Sequence, residues 1–357
     1  MATTERTVLH VLPHPGGGGE RYVDLLSEME GYRFRRVFLG SSATMGAREL
    51  LRAMVAVVRQ AHGFDLLHVH GEAAAGLCLP LIAAEASVVT LHGLHLVRRL
   101  TGWKRQVAVL NLRAVLRAAR CTICVARTEY EELARIVGPK AARHAVVIRN
   151  GVHVPPPATP AQRAAVRHEL GVADDEVVAI WVGSLDARKD PLTVVSAANE
   201  TGIALIVVGD GPLRQEVAQA AGPKVFVLGQ RNDVQRFLGA ADIFITSSKR
   251  EGLSLSLLEA MASGLVPVAA DIPENGEAVG TAGVLIPCGD EKALADALRR
   301  LSADTTARRL LAAAAHARAA SFFTARAMVG ETHDLYNDVF QSRSLEGGRM
   351  VRARALF

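Results

Sequence analysis

A chain of 357 residues with 50% apolar and 22% charged side chains and a net charge of +5 is long enough for two domains with separate cores, and too apolar to be disordered. No apolar run has membrane-spanning length; the best candidate, residues 73–91, is broken by Pro80 and Glu85. The first residues lack the apolar core of a signal peptide and no nucleic-acid-binding motif is present, so a cytoplasmic protein with no nucleic-acid partner is expected.

In the first half, short apolar runs at Val8–Leu12, Arg36–Leu39, Asp65–Val69, Val88–Leu91, Thr122–Val125 and Val146–Ile148 read as strands. Glu20–Glu28, Glu49–Ala61 and Lys104–Ala119 between them have helical period. Such alternation predicts a parallel sheet covered by helices. The first strand runs into Gly16, Gly17, Gly18 and Gly19, where the lack of Cβ atoms lets backbone approach a ligand at a helix N-terminus. The spacing is not that of a dinucleotide fingerprint, and no acidic residue after the second strand marks an NAD ribose site. His92, followed by Gly93, lies at the carboxyl end of the fourth strand and can donate to a sugar hydroxyl; taken alone, a structural histidine is the better reading. Cys121 and Cys124 fall inside a strand and read as buried thiols rather than a metal or redox pair. Seven cations between Arg98 and Arg120, around Trp103, read first as a solvated helix face, with peripheral membrane contact or an anionic acceptor as the alternative.

Residues 155–160 are proline-rich and mark a linker. A second alternation follows, with strands at Val177–Val182, Leu205–Val208, Val225–Leu228, Ile243–Thr246, Val266–Ala269 and Val284–Ile286. Helical partners are Pro191–Glu200, Pro212–Ala220, Asp233–Gly239, Leu255–Ser263 and Lys292–Leu301, and 307–340 also reads as helices. The fold class expected is α/β, two Rossmann-like doubly wound domains facing across a cleft. Lys189, in the turn after the second domain's first strand, can neutralise a phosphate, while Gly209-Asp210-Gly211-Pro212 reads as a structural turn.

The most informative stretch is 247–261. A strand ends at Thr246, a polar loop carries Glu251, and a Leu-rich helix begins at the N-cap candidate Ser254 and stops at Gly264. Free N–H groups at that helix start attract phosphate. Glu251 sits in the loop, free to reach a ligand, and Glu259 lies one turn inside the helix, where a carboxylate accepts both hydroxyls of a ribose. Carboxylates repel phosphate, so their partners are hydroxyls, and a nucleotide-sugar suits the set. By itself the pair reads first as a dipole-favouring helix acid and a solvated loop charge, and only its context raises the ligand reading above that.

Taken together these pieces resemble the retaining glycosyltransferases of family 4, with the two-domain GT-B fold. The resemblance rests on the E-x7-E segment Glu251–Glu259, supported in order by Gly16–Glu20, Thr90–Gly93, Arg149–Val152, Gly183–Lys189 and Val208–Pro212. It implies domains 1–154 for the acceptor and 155–325 for the donor, a helix 326–340 returning to the first domain, and a basic disordered tail, 341–357. It implies donor-sugar contact by Glu251, ribose contact by Glu259, and diphosphate binding by Lys189 with amides near Ser254, Leu255 and Ser256. Gly17 and Gly18 would close over the phosphate or sugar, His92 would line the sugar pocket, and Asp210 and Arg231 would lie near the nucleotide. Ser184 stands where the family usually has Arg, leaving Arg188 or Arg250 as substitutes. The expected activity is metal-independent, retaining transfer of a hexose or N-acetylhexosamine from a nucleoside-diphosphate sugar, UDP favoured. No cofactor beyond that co-substrate is expected. The acceptor hydroxyl belongs to a lipid-linked saccharide, a polysaccharide or a small metabolite, and the protein is placed in the cytoplasm, at the inner membrane surface if the basic segment binds lipid. A nucleotide-sugar epimerase and a non-catalytic nucleotide-sugar-binding subunit are the alternatives.

Overall fold

In a computed structural model, which describes residues 5–40, 57 and 62–344, the chain forms two compact units. One comprises residues 1–150 and 325–357, the other 151–324. The chain crosses between them at two points that lie side by side, since Val152 N–H donates to the Phe323 carbonyl at 2.8 Å. The last helix, Ala325–Ser344, belongs to the first unit, and its regular turns continue past residue 340. The remainder of the expected tail and, Val57 apart, the expected helix at 49–61 lie outside the described residues.

The first unit holds a six-stranded parallel sheet of β1 (Arg6–Leu12), β2 (Tyr32–Phe38), β3 (Leu66–His70), β4 (Ser87–Thr90), β5 (Cys121–Cys124) and β6 (Ala145–Val147), ordered β2-β1-β3-β4-β5-β6. Strands buried on both faces read as near-continuous apolar runs, which makes β1, β3, β4 and β5 legible, whereas β2, with three arginines and mostly half-buried side chains, begins four residues before the expected Arg36. One face packs Leu9, Val11, Leu67, Val69 and Val89 against Leu112, Val115 and Leu116 of the helix Gly102–Ala118. Helices Glu72–Leu77, Leu79–Ala84, His95–Arg99, Arg127–Val137 and Pro139–Ala142 of this unit were not foreseen. The first two are six residues each, too short to show a period.

The second unit repeats the plan with β7 (Val178–Val182), β8 (Ala204–Val208), β9 (Val225–Gly229), β10 (Ile243–Thr246), β11 (Val266–Ala270) and β12 (Val284–Ile286), ordered β12-β11-β10-β7-β8-β9. Strand order reverses between β7 and β10, and the loops leaving their carboxyl ends flank that switch point. The proline-rich stretch ends in a helix rather than continuing as linker. Thr159 and Gln162 form a capping box that starts Pro160–Leu170 at a proline. Arg167 of that helix is 1% exposed and is held by carbonyls of Ala173, Glu176 and Ala240 and by Asp242. Cys121 and Cys124 are buried free thiols, and burial pushes Cys121 up to about 12, so neither is a ready thiolate.

Candidate active site

The loops after β7 and β10 are stitched together. The Ser247 hydroxyl lies 2.7 and 2.8 Å from the carbonyl oxygens of Lys189 and Asp190, and Lys249 N–H donates to Arg188 at 2.9 Å. Lys249 Nζ also pairs with Asp190 at 3.1 Å. Asp186 accepts the N–H groups of Arg188 and Lys189 at 2.9 and 3.1 Å. Burial raises the Asp186 carboxyl, but Arg188 and these donors outweigh it and hold it below the usual range. Sequence reasoning missed Asp186, Ser247 and Lys249, because a loop-to-loop staple has no periodicity to reveal it.

Lys189 and Glu251, expected as independent ligands of phosphate and sugar, form an ion pair with each other, with 15% and 7% of their side chains exposed. Glu251 is therefore buried and charge-paired rather than free in the loop. Its burial raises its carboxyl, yet Lys189, the Ser248 hydroxyl and Arg188 together bring it below the usual glutamate range. The pair is set where the strand order reverses.

Close by in the chain, the helix Leu255–Ala262 starts with Ser254 at the N-cap, as expected, but the Ser254 hydroxyl lies 3.1 Å from that of Ser256 and caps no backbone N–H. The first turn is thereby left without a side-chain cap, and its N–H groups are the orphans that an anion satisfies. Leu255 is buried, while Ser256 and the Glu259 side chain are half-buried. Arg188 is exposed and pairs with Asp186 at 3.4 Å.

Gly209 and Gly211 are structural, as expected, and the reason is direct contact. A Cβ on Gly209 would lie 1.8 Å from the Gly183 carbonyl oxygen, and one on Gly211 would lie 2.7 Å from that of Leu185. Asp210 between them is exposed and pairs with Arg214 at 2.7 Å. Arg231 is engaged by Asp233 at 2.8 Å and follows β9, two strands away from β7. The structure brings together Lys189, Arg188 and Glu251; it does not bring Asp210 or Arg231 into contact with them.

In the first unit, Gly17, Gly18 and Gly19 lie inside the helix Gly17–Leu26, three residues earlier than expected. Glu20 accepts from Gly16 N–H at 2.5 Å and so stands in for the missing cap. Gly16 and Gly17 have φ of 80° and 77°, which favours glycine, but Gly18 has no such constraint and its added Cβ would meet nothing within 4 Å.

His92, two residues after β4, has φ 57°, a rare conformation for a side-chain-bearing residue. The turn is held by Glu129, fully buried, whose carboxylate accepts from Gly93 N–H and, at 2.6 Å, from Val125 N–H. Beneath His92 lie three fully buried histidines unremarked in the sequence, His10 on β1 and His68 and His70 on β3. His68 is fixed by Thr90 at 2.7 Å and by Tyr336 of the last helix at 2.6 Å. The alternation His68-Val69-His70 was a visible signal, since residues two apart on a strand share a face. The first three rings are spaced closely enough to suggest a metal. However, His10–His70 and His68–His70 stack at 22° and 27°, and of their ring nitrogens all but His10 Nε2 already bond one another, His92, Thr90 or Tyr336.

The basic segment divides. Arg98 is paired with Glu132, and Arg113 donates to the Val137 carbonyl at 3.1 Å. Trp103, Val107 and Leu110 stand 70%, 55% and 61% exposed on the helix Gly102–Ala118, at the spacing of one face.

Two family models match the chain. One described as Glycosyltransferase Family 4 covers residues 7–154, and one described as Glycosyl transferases group 1 covers 176–304. Alpha-maltose-1-phosphate synthase of Mycobacterium tuberculosis is 27% identical over 331 residues, covering 82% of this chain and 84% of that protein. UDP-Gal:alpha-D-GlcNAc-diphosphoundecaprenol alpha-1,3-galactosyltransferase of Escherichia coli is 27% identical over 264 residues, covering 68% and 67%. Among solved structures, Anabaena HepE in complex with UDP-glucose superposes with a TM-score of 0.78 at 21% identity, covering 92% of this chain and 99% of that one. The last likeness establishes fold.

Proposed function

The chain belongs to glycosyltransferase family 4, has the GT-B fold and uses a nucleotide-sugar, and on that premise we propose that it moves a hexose or N-acetylhexosamine from a UDP-sugar to an acceptor hydroxyl with retention. The observation that carries the reading is the Lys189–Glu251 ion pair, set at the strand switch point beside an uncapped helix start. UDP is favoured because HepE was solved with UDP-glucose and the E. coli relative is named for a UDP-galactose donor.

Departure of the diphosphate places negative charge where Lys189 and the first-turn amides of Leu255–Ala262 can receive it, with no reorganisation at the moment of bond breaking. Glu251 pairs with the lysine and faces the donor-sugar hydroxyls. Glu259 takes the ribose, and His92 contributes a hydrogen bond to the sugar. The C1–phosphate bond breaks and the C1–acceptor bond forms on the same face, and the acceptor proton passes to the leaving phosphate oxygen. Arg188, exposed in the stitched loop, supplies the second cation that Ser184 does not. Asp210 and Arg231 are assigned at most outer contacts with the nucleotide.

The acceptor is read as membrane-borne. The support is the exposed Trp103/Val107/Leu110 stripe on a helix that also exposes Lys104, Arg105 and Arg117, a combination suited to an anionic lipid surface. Among the described residues no helix is long and apolar enough to cross a membrane.

Thermal unfolding with UDP-, GDP- and ADP-sugars, paired with Glu259→Ala, tests the donor site. A UDP-sugar raising the wild-type midpoint and losing that shift in Glu259→Ala is expected, because a ligand bound only to the folded state stabilises by mass action. No shift with any donor at millimolar concentration would sink the reading. Binding without transfer or hydrolysis would leave the non-catalytic subunit in its place.

A further inference from the structure

We propose that His70 and His10 are positioning residues that form a one-way hydrogen-bond relay and set which ring nitrogen of His92 carries its proton. The role of His92 toward the sugar rests on the function proposed above; the tautomer itself does not.

Three strands bring the rings together. His10 of β1 lies beside His68 of β3, and His70 of β3 lies beside Thr90, two residues before His92. His10 Nδ1 is 2.8 Å from His70 Nε2, and His70 Nδ1 is 3.0 Å from His92 Nε2. Both nitrogens of His70 are used, so in the neutral state one must donate and the other accept. The protons therefore run in one direction along the chain.

The inner end decides the direction. His10 Nε2 is buried and has no partner among the described residues. If the relay ran inward, from His92 to His70 to His10, that atom would carry an N–H with nothing to accept it. If it runs outward, His10 Nε2 is a bare lone pair. Buried N–H groups left without an acceptor are rarer in folded proteins than buried acceptors left without a donor. The outward direction follows: His10 Nδ1–H donates to His70 Nε2, and His70 Nδ1–H donates to His92 Nε2. His92 then holds its proton on Nδ1, the tautomer a free histidine disfavours.

The consequence is a fixed neutral donor. Burial, with a smaller contribution from His95, lowers His92 to about 3, and burial lowers His10 and His70 as well, so all three rings remain uncharged at neutral pH. Tyr22 packs edge-on against His92 at 4.9 Å between ring centres and against His70 at 5.8 Å, which limits ring rotation that would break the link.

The test is long-range proton–nitrogen correlation NMR on the 15N-histidine-labelled full chain without donor, with His92 assigned from the signals lost in His92→Gln. Protonated Nδ1 and bare Nε2 on His92 are expected in the wild type, and protonated Nε2 there would overturn the relay whatever the enzyme does. In His70→Phe, which keeps an aromatic ring in the stack and removes both links, His92 should revert to the Nε2–H form. Transfer should fall about tenfold, the scale of losing an outer-shell partner of a functional histidine. An unchanged His92 tautomer in folded His70→Phe would also overturn the proposal. The expected tautomer with no donor binding would instead uphold the relay and count against the function.

Discussion

Glu251 shows how a residue's chemistry is set by its neighbour. Opposed by burial, its carboxyl still ionises below the usual glutamate range because Lys189 lies against it. A carboxyl lowered on folding contributes stability that is fully present above its unfolded value and is lost as pH falls through the lower folded value. Acid titration of the wild type is therefore expected to show a loss of stability in that window, and Glu251→Gln is expected to lack that component. At neutral pH the substitution strands Lys189. Breaking a buried pair costs up to about 3–5 kcal/mol, and because the lysine keeps 15% exposure the loss is expected near about 2–3 kcal/mol. Denaturant unfolding at pH 7 and below the glutamate range checks both parts; an unchanged acid limb in Glu251→Gln would remove the charge pair from the account.

Among elements, two glycine turns make a contrast between fold and ligand. Gly209 sits under the Gly183 carbonyl at a distance no Cβ tolerates, and its N–H donates to Gly229 at 2.8 Å, so the turns after β7, β8 and β9 are locked as one rim. Gly209→Ala is expected to destabilise the second unit by more than about 2 kcal/mol through overpacking against backbone. Gly18 has open space and an ordinary φ inside a helix. Gly18→Ala should leave stability unchanged or raise it by up to about 1 kcal/mol, since alanine favours helix over glycine. If the glycines serve backbone approach to the donor, the same variant should weaken donor binding severalfold by thermal shift. Intact binding in Gly18→Ala would assign that loop to turn geometry alone.

At the scale of the whole molecule, the two units carry different chemistry: ion pairs and an uncapped helix in the second, a histidine stack and an amphipathic outer helix in the first. Trp103→Ser with Leu110→Ser is expected to abolish co-sedimentation with anionic phospholipid vesicles at low salt while leaving the thermal midpoint unchanged, because both side chains already face solvent. Equal sedimentation of variant and wild type would discard the membrane-borne acceptor. What the sequence determined by itself was the alternation of strands and helices, twelve strands in order, and the loop that joins Glu251 to Glu259. Apolar runs, glycine stops and local motifs are written within a few residues of one another, so they survive being read in one dimension. Tertiary structure alone decided that Lys189 and Glu251, 62 residues apart, neutralise each other, and that His10, His70 and His92 line up across three strands. Strand order brings such residues together, and burial removes the water that would otherwise satisfy them. A residue's nearest charge or hydrogen-bond partner is therefore fixed only when the sheet closes.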